Sequence, residues 1–223
     1  NDLWGTDMTF GFQSAVDIAT NAIDCIHTTA ASHRRVFIVE VMGHKVGWLT
    51  LHAGLAGGAD IILLPEIPYD INVVCDAITK RSKAGKRFSI LAVAEGAISR
   101  EEASMSKKEL KAKKRTEMVY PSVAYEIGAR ITEITGSEVR VTVPGHMQRG
   151  GEPCAYDRVL STRLGATAAK MIADGEFGYM AAVKNNDIVK VPLSEVAGRL
   201  KTVDPNCSMI KEAKMVGISF GDE

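Results

Sequence analysis

The sequence predicts an α/β protein with a largely parallel sheet, because short apolar runs rich in β-branched residues alternate with stretches of helical period. The strand-like runs are Val36–Val41, Ile61–Leu64 and Phe88–Val93. Between them, Gly11–Thr29 carries apolar residues at helical spacing, and Trp48–Ala56 is a helix closed by two glycines. Strands and helices that alternate at this spacing are typical of βαβ units.

The second half of the chain continues with further helices, a hairpin and a charged segment. We predict a helix near Ile71–Ile78, a helix from Pro121 ended by Gly136, a helix over Ala155–Ala173, and a hairpin of Tyr179–Val183 with Ile188–Val191. Lys107–Arg115 is a charge run, which favours a solvated helix face or an exposed insertion. The last twenty residues carry little signal.

Composition excludes several classes of function. The 223 residues include 27 Lys+Arg and 27 Asp+Glu, so the net charge predicts neither a nucleic-acid partner nor an anionic membrane. No apolar run approaches the roughly 20 residues of a membrane helix, and we find no signal peptide. The four cysteines form no CxxC pair, which argues against a metal knuckle and favours a reducing, cytoplasmic setting.

The predicted strand ends carry residues capable of chemistry. The first strand runs into Met42-Gly43-His44, the second into Pro65-Glu66, the third into Glu95-Gly96, and the fourth into Gly145-His146. Ligands of parallel sheets lie beyond the carboxyl ends of the strands. These residues are therefore expected along one edge.

The segment Val143–Gly151 is the most informative part of that edge, because His146 and Arg149 lie between glycines just after a strand. Glycine lets the backbone approach a ligand, and arginine presents a planar fork of donors that suits phosphate. The pattern indicates a site for a phosphorylated small molecule. Glycine-rich turns without a function are also common after strands. The run Gly54–Gly58 lacks the Lys-Ser/Thr of a P-loop, so we interpret it as helix–strand packing.

Several blocks of the sequence, in order and over most of the chain, resemble the 6-phosphofructokinases. They are Asn1-Asp2, Gly5-Thr6-Asp7, Thr9–Phe12, Ser32–Arg35, Glu40–Gly43, Gly54–Asp60, Pro65-Glu66, Gly145–Gly151 and Tyr156-Asp157-Arg158. The resemblance implies a three-layer sandwich around a parallel sheet, with the substrate domain and part of a second domain. Residues 1–11 would be a remnant of the catalytic loop region, 12–148 the fructose 6-phosphate-binding domain, and 149–223 a segment that returns to the phosphate-donor domain and ends in a C-terminal tail.

The resemblance also implies roles for individual residues. Arg35 and Arg140 match arginines that hold the 6-phosphate from a neighbouring subunit, and His146 and Arg149 match the pair that contacts the phosphosugar from its own side. Without the resemblance, Arg35 is interpreted as a helix cap and Arg140 as an ordinary outward strand residue.

Four further residues are implied on the same basis. Met42 and Gly43 match backbone that lies against the sugar, and Glu95 matches a carboxylate that accepts hydrogen bonds from sugar hydroxyls. Asp2 matches a catalytic aspartate near the transferred phosphoryl group and its Mg²⁺. By default Asp2 would be solvated at a terminus, and Glu95 would form a loop ion pair. His44 occupies a position where many members carry arginine, which puts charge stabilisation there in doubt.

The activity that the resemblance implies is transfer of a phosphoryl group to the 1-hydroxyl of fructose 6-phosphate, in glycolysis. The donor would be ATP, which we favour, or pyrophosphate, with Mg²⁺. The protein would be a cytoplasmic homo-oligomer whose subunits share each substrate site, with no nucleic-acid or membrane partner. The family's donor loop and general base are expected ahead of Asn1, so this chain alone is expected to be inactive. The alternative is a non-catalytic module that binds sugar phosphates.

Overall fold

A four-stranded parallel sheet forms the centre of the molecule. The computed structural model describes residues 1–30, 35–106, 108–110 and 120–223. The strands are β1 (Val36–Val41), β2 (Ile61–Leu63), β3 (Ser89–Ala94) and β4 (Val139–Thr142), in the order β2-β3-β1-β4. Val36 lies opposite Ser89 on one side and Val139 on the other, so β1, β3 and β4 are in register at their amino ends.

Helices surround this sheet, and a separate hairpin follows it. Over the described residues they are α1 (Phe12–Ala30), α2 (Trp48–Ala56), α3 (Ile71–Lys83), α4 (Arg100–Ser104), α5 (Val123–Thr135), a 3₁₀ helix (Gly145–Arg149), α6 (Ala155–Ala173), α7 (Leu193–Val196) and α8 (Ser208–Met215). The antiparallel hairpin consists of β5 (Tyr179–Lys184) and β6 (Asp187–Pro192). Asn185 and Asn186 both have positive φ at its turn, as a tight two-residue hairpin requires.

Alternation along β1 divides the core into two halves. Phe37, Val39 and Val41 pack with buried residues of α1, α2 and α8, whereas Val36 and Ile38 pack with residues of α3 and α5. Successive side chains of a strand point to opposite faces, so the sheet is covered by helices on both sides. The predicted α/β class and three-layer arrangement are confirmed.

The glycines at the end of α2 have a packing role, as expected. A Cβ on Gly54 would lie 2.9 Å from the Ile62 side chain, and one on Gly57 would lie 2.7 Å from the Ile23 side chain. The absence of side chains there lets α2 pack closely against β2 and α1.

The last residues are more structured than their sequence suggested. Ile210 and Ala213 of α8 are buried, Phe220 is fully buried, and Ser219 forms a parallel bridge with Ile61. The C-terminal segment thus extends the edge of the sheet beyond β2. The domain boundary expected at residue 148 stays a prediction.

Two further expectations concern the charged segment and membrane insertion. Most of the charge run, Lys107 with residues 111–115, lies outside the described residues, as does the Ser32-His33-Arg34 part of one block. No helix in the described parts of the chain is long and apolar enough to cross a bilayer.

Candidate ligand site at the carboxyl edge of the sheet

A cavity of about 410 Å³ opens beyond the carboxyl end of β1. It lies between residues 1–11, the start of α1, the turn after β1, and the 3₁₀ helix with the glycines that follow it. Three of the residues singled out from the sequence, Met42, Gly43 and Arg149, line this cavity together. The cavity therefore lies where the ligands of parallel sheets are expected, beyond the carboxyl ends of the strands.

Arg149 supplies the cavity with a positive charge. Its side chain is exposed and makes no ion pair or side-chain hydrogen bond with any other described residue. The pKa of the Asn1 amino group is lowered, chiefly by burial and also by the charges of Lys201 and Arg149, while Asp2 opposes the shift. Asp2, Lys201 and Arg149 thus all lie within electrostatic range of the Asn1 amino group, which lines the cavity.

Gln148 fixes the 3₁₀ helix that carries Arg149. Its side chain is only 2% exposed. Its Oε1 accepts a hydrogen bond from the backbone N–H of Met42 at 3.2 Å, and its Nε2 donates to the Gly145 carbonyl at 3.1 Å. One buried amide therefore joins the end of β1 to the turn after β4. No role was predicted for Gln148 from the sequence, because a glutamine beside glycines carries no signal of burial.

The turn after β1 is held in an unusual conformation. Glu95 Oε1 accepts hydrogen bonds from the backbone N–H groups of Gly43 at 3.1 Å and His44 at 2.6 Å. His44 has φ 55°, in the left-handed region, and a Cβ on Gly96 would lie 2.0 Å from the His44 carbonyl oxygen. Glu95 and Gly96, at the end of β3, therefore set the path of the backbone that lines the cavity.

Asp2 lies beside the cavity without lining it. It is half-buried, and its carbonyl accepts a hydrogen bond from the Lys201 N–H at 2.9 Å. No group of three potential metal-ligating side chains occurs within the described ranges. Mg²⁺ commonly uses only one or two protein carboxylates together with waters and substrate phosphates, so a single aspartate at this position fits that ion.

Arg35 and Arg140 lie at the opposite edge of the sheet. Arg35 immediately precedes β1, and Arg140 pairs with Phe37 near the amino end of that strand. Both guanidinium groups bind Glu138, with Arg35 Nε 2.5 Å from Glu138 Oε2. The hydrogen bond from Arg35 is the main reason why the pKa of Glu138 is below its usual value. Within one chain, these two arginines do not join Arg149.

The remaining predicted residues are exposed near the rim. His146 lies in the 3₁₀ helix with its side chain in solvent, and His44 is also exposed. Neither lines the cavity.

Two acidic residues with structural contacts were given no individual role from the sequence. Asp157 is 2% exposed, and its Oδ2 accepts hydrogen bonds from the backbone N–H and the hydroxyl of Ser14, at 2.8 and 2.6 Å. This joins the start of α6 to α1 below the cavity. Glu66 accepts hydrogen bonds from the backbone N–H groups of Gly47 and Val203. Both lie in blocks that carried the resemblance, which was the available signal.

Fold and cavity together define a class: a parallel α/β protein with an arginine at the carboxyl edge of its sheet that has no ion-pair partner in the described part of the chain and is suited to an anionic ligand. The family model for phosphofructokinase matches residues 1–172. The chain belongs to the phosphofructokinase family.

Curated relatives agree with this assignment. The chain is 55% identical over 222 residues to the ATP-dependent 6-phosphofructokinase of Spirochaeta thermophila, across 100% of this chain and 60% of that protein. It is 48% identical over 221 residues to the pyrophosphate–fructose 6-phosphate 1-phosphotransferase of Streptomyces coelicolor, across 99% of this chain and 63% of that protein. The chain therefore spans about three fifths of the length of these relatives.

Solved structures give the same fold. Phosphofructokinase from Saccharomyces cerevisiae superposes with a TM-score of 0.72 at 34% identity, over 87% of this chain and 24% of that one. A pyrophosphate-dependent phosphofructokinase from Marinobacter aquaeolei gives a TM-score of 0.74 over 98% of this chain and 58% of that one. At 23% identity, the second match shows the fold alone.

Proposed function

We propose that the full-length protein transfers a phosphoryl group from ATP or pyrophosphate to the 1-hydroxyl of fructose 6-phosphate, and that this chain supplies most of the sugar-phosphate site. The observation that carries the proposal is the guanidinium of Arg149, which pairs with no carboxylate among the described residues and lies at the cavity lined by Met42 and Gly43. A guanidinium group without a carboxylate partner keeps its donors for an incoming phosphate.

The residues of this chain act mainly by positioning. Arg149, with His146 beside it in the 3₁₀ helix, would bind the sugar phosphate, and the backbone of Met42 and Gly43 would lie against the sugar. Glu95 would serve the sugar hydroxyls or orient the Gly43-His44 turn that meets them. Phosphoryl transfer depends largely on such positioning and on charge neutralisation. Mg²⁺ would neutralise charge on the transferred phosphoryl group, and Asp2 is the residue that would hold it. We assign the donor site and the general base to the part of the full-length protein that this chain does not span.

We further propose that each site is shared between subunits of a cytoplasmic homo-oligomer. Arg35 and Arg140 cluster at the amino edge of the sheet, whereas Arg149 follows its carboxyl edge. The arginines at these two edges bind one phosphosugar together when the amino edge of one subunit's sheet meets the carboxyl edge of its neighbour's sheet. Glu138 forms an ion pair with both arginines and so holds them close to each other.

Assaying the full-length protein with fructose 6-phosphate and Mg²⁺ tests the proposal, with ATP and pyrophosphate supplied in turn. We expect fructose 1,6-bisphosphate to form with one donor in preference, and we favour ATP. If no fructose 1,6-bisphosphate forms with either ATP or pyrophosphate, the proposed activity is contradicted. In that case, retained binding of fructose 6-phosphate assigns the protein instead to the non-catalytic sugar-phosphate modules.

A further inference from the structure

The segment that carries Asp2 has almost no regular structure of its own. Among residues 1–7, only Leu3 takes part in a β-bridge, and its partner is Leu200. The path of this segment therefore depends on contacts with distant parts of the chain. Those contacts come from residues beyond 172, where the family match ends.

The hairpin residues Val183, Lys184 and Asn185 form four hydrogen bonds with Thr6 and Asp7, and three further hydrogen bonds to the segment come from Lys201. Its backbone N–H donates to the Asp2 carbonyl at 2.9 Å. Its ammonium group reaches past the same segment and donates to the carbonyls of Thr6 at 3.2 Å and Asp7 at 2.5 Å. One residue thus binds the segment at both of its ends.

Lys201 is itself anchored to the sheet domain. Its carbonyl accepts a hydrogen bond from Trp48 Nε1 at 2.9 Å, and its ammonium group lies 5.9 Å from the centre of the Trp48 ring. Two residues further on, the N–H of the buried Val203 donates to Glu66 Oε1 at 2.9 Å. Glu66 also binds the N–H of Gly47 at the start of α2. Lys201 is therefore joined to the start of α2, directly through Trp48 and indirectly through Glu66.

The chemistry of Lys201 suits a positioning role better than a surface role. The side chain is half-buried, and burial is the main cause that lowers its pKa, while Asp7 opposes that shift. A buried ammonium group is costly unless its protons are used. The ammonium group of Lys201 donates two hydrogen bonds to backbone carbonyls, whereas the ammonium group of a surface lysine is satisfied by water.

We propose that Lys201 is a positioning residue for phosphoryl transfer, because it clamps residues 2–7 and thereby fixes where Asp2 stands beside the cavity. The inference rests on the proposed function for its catalytic consequence. The clamp, meaning the contacts of Lys201 with residues 2–7, does not depend on that function and is tested separately. Lys201 does not line the cavity, so the binding of fructose 6-phosphate should not depend on it.

The experiment compares three variants of the full-length protein with the wild type. Lys201→Met keeps the aliphatic stem and removes the donors, Lys201→Arg keeps donors for the two carbonyls, and Lys211→Met alters an exposed lysine of α8 as the matched control. Hydrogen–deuterium exchange of amides 1–8 reports the clamp without any need for activity. Steady-state kinetics report kcat and the KM for fructose 6-phosphate.

We expect Lys201→Met to speed exchange in residues 1–8 and to lower kcat by about 10- to 100-fold with KM within about twofold, because small displacements of a catalytic group cost rates of that order. Lys201→Arg should recover most of kcat, and Lys211→Met should match the wild type. Unchanged exchange overturns the clamp, whatever happens to kcat. Faster exchange with unchanged kcat, or an effect confined to KM, overturns the catalytic role. A wild type that is inactive with both donors defeats the proposed function and the catalytic role together, while the exchange result still decides the clamp.

Discussion

The side-chain amide of Gln148 is hydrogen-bonded to the backbone N–H of Met42, so the 3₁₀ helix that carries Arg149 is tied to the end of β1. Gln148 itself is buried, and the same amide also satisfies the Gly145 carbonyl. Two loops that are about 100 residues apart in sequence are thereby held as one wall of the cavity.

Replacing Gln148 with Met should destabilise the protein and loosen this wall. The Met42 N–H and the Gly145 carbonyl would lose their partner, and a buried unsatisfied polar group costs about 1–3 kcal/mol. We expect the free energy of unfolding, measured by urea titration, to fall by that order, and the KM for fructose 6-phosphate to rise. Gln13→Met on α1 is the control, because the Gln13 side chain makes no hydrogen bond to the described residues. Equal stabilities of the two variants would count against the role given to Gln148.

Glu95 offers a test of how the Gly43-His44 turn is maintained. Glu95→Gln keeps an acceptor oxygen for the two backbone N–H groups, whereas Glu95→Ala removes it. We expect the KM for fructose 6-phosphate to rise about tenfold or more for the alanine variant and much less for the glutamine variant. The exposed Glu101→Ala change on α4 is the control. Equal losses in both Glu95 variants would show that the charge matters more than the acceptor.

Positions of Arg35 and Arg149 at opposite edges of the sheet predict complementation between variants. Arg35→Ala and Arg149→Ala should each be inactive as homo-oligomers. Random mixing after dissociation and reassembly should restore roughly a quarter of wild-type activity for a two-fold pair with shared sites, since half of the pairs contain one intact site of two. A mixture as inactive as its parents would refute a site shared in this way.

His52 predicts how stability changes with pH. The pKa of His52 lies below the ordinary 6.5, chiefly because the ring is buried, with Lys201 adding to the shift. Its ring also contacts Phe12 and Trp48. The unfolded chain binds the proton more readily than the folded chain. The contribution of the neutral His52 ring to stability is therefore complete above pH 6.5 and is lost as the pH falls through the lowered pKa.

Urea titrations at about pH 7.5 and about pH 5.5 check this sign. The loss of stability at the lower pH should be smaller in His52→Asn than in the wild type. His146→Asn, at an exposed position, should leave the difference unchanged. An identical pH dependence in wild type and His52→Asn would show that His52 does not contribute to the loss of stability at low pH.

Patterns along the chain predicted those elements whose stability is mainly local or strongly periodic. Helix α6 was predicted over its full extent, and β1 is a run of apolar residues, interrupted by Glu40, that is buried on both faces. Helix α8 was not predicted, because it is short and is stabilised by packing of Ile210 and Ala213 against the distant sheet.

Strand direction alone predicted that the segments after β1 and β4 lie at one edge, and the cavity there is lined by Met42, Gly43 and Arg149 from those segments. His44 and His146, which were expected at the same edge, do not line the cavity. Strand direction does not predict the role of Gln148, because that role depends on a partner 106 residues away. It does not predict the role of Lys201 either, because Lys201 lies in a segment without periodicity. The roles proposed for Arg35 and Arg140 came from the resemblance, because residue type alone does not reveal which subunit a side chain serves.

Calorimetric titration of the full-length protein with fructose 6-phosphate tests the central claim most directly. Arg149→Met should weaken binding between about tenfold and 150-fold, because a charge-assisted contact is worth about 1.5–3 kcal/mol. Arg163→Met on α6, whose guanidinium binds the Asn186 carbonyl of the hairpin, should leave the affinity unchanged. Wild-type affinity in the Arg149 variant would contradict the assignment of the cavity at the carboxyl edge as the sugar-phosphate site.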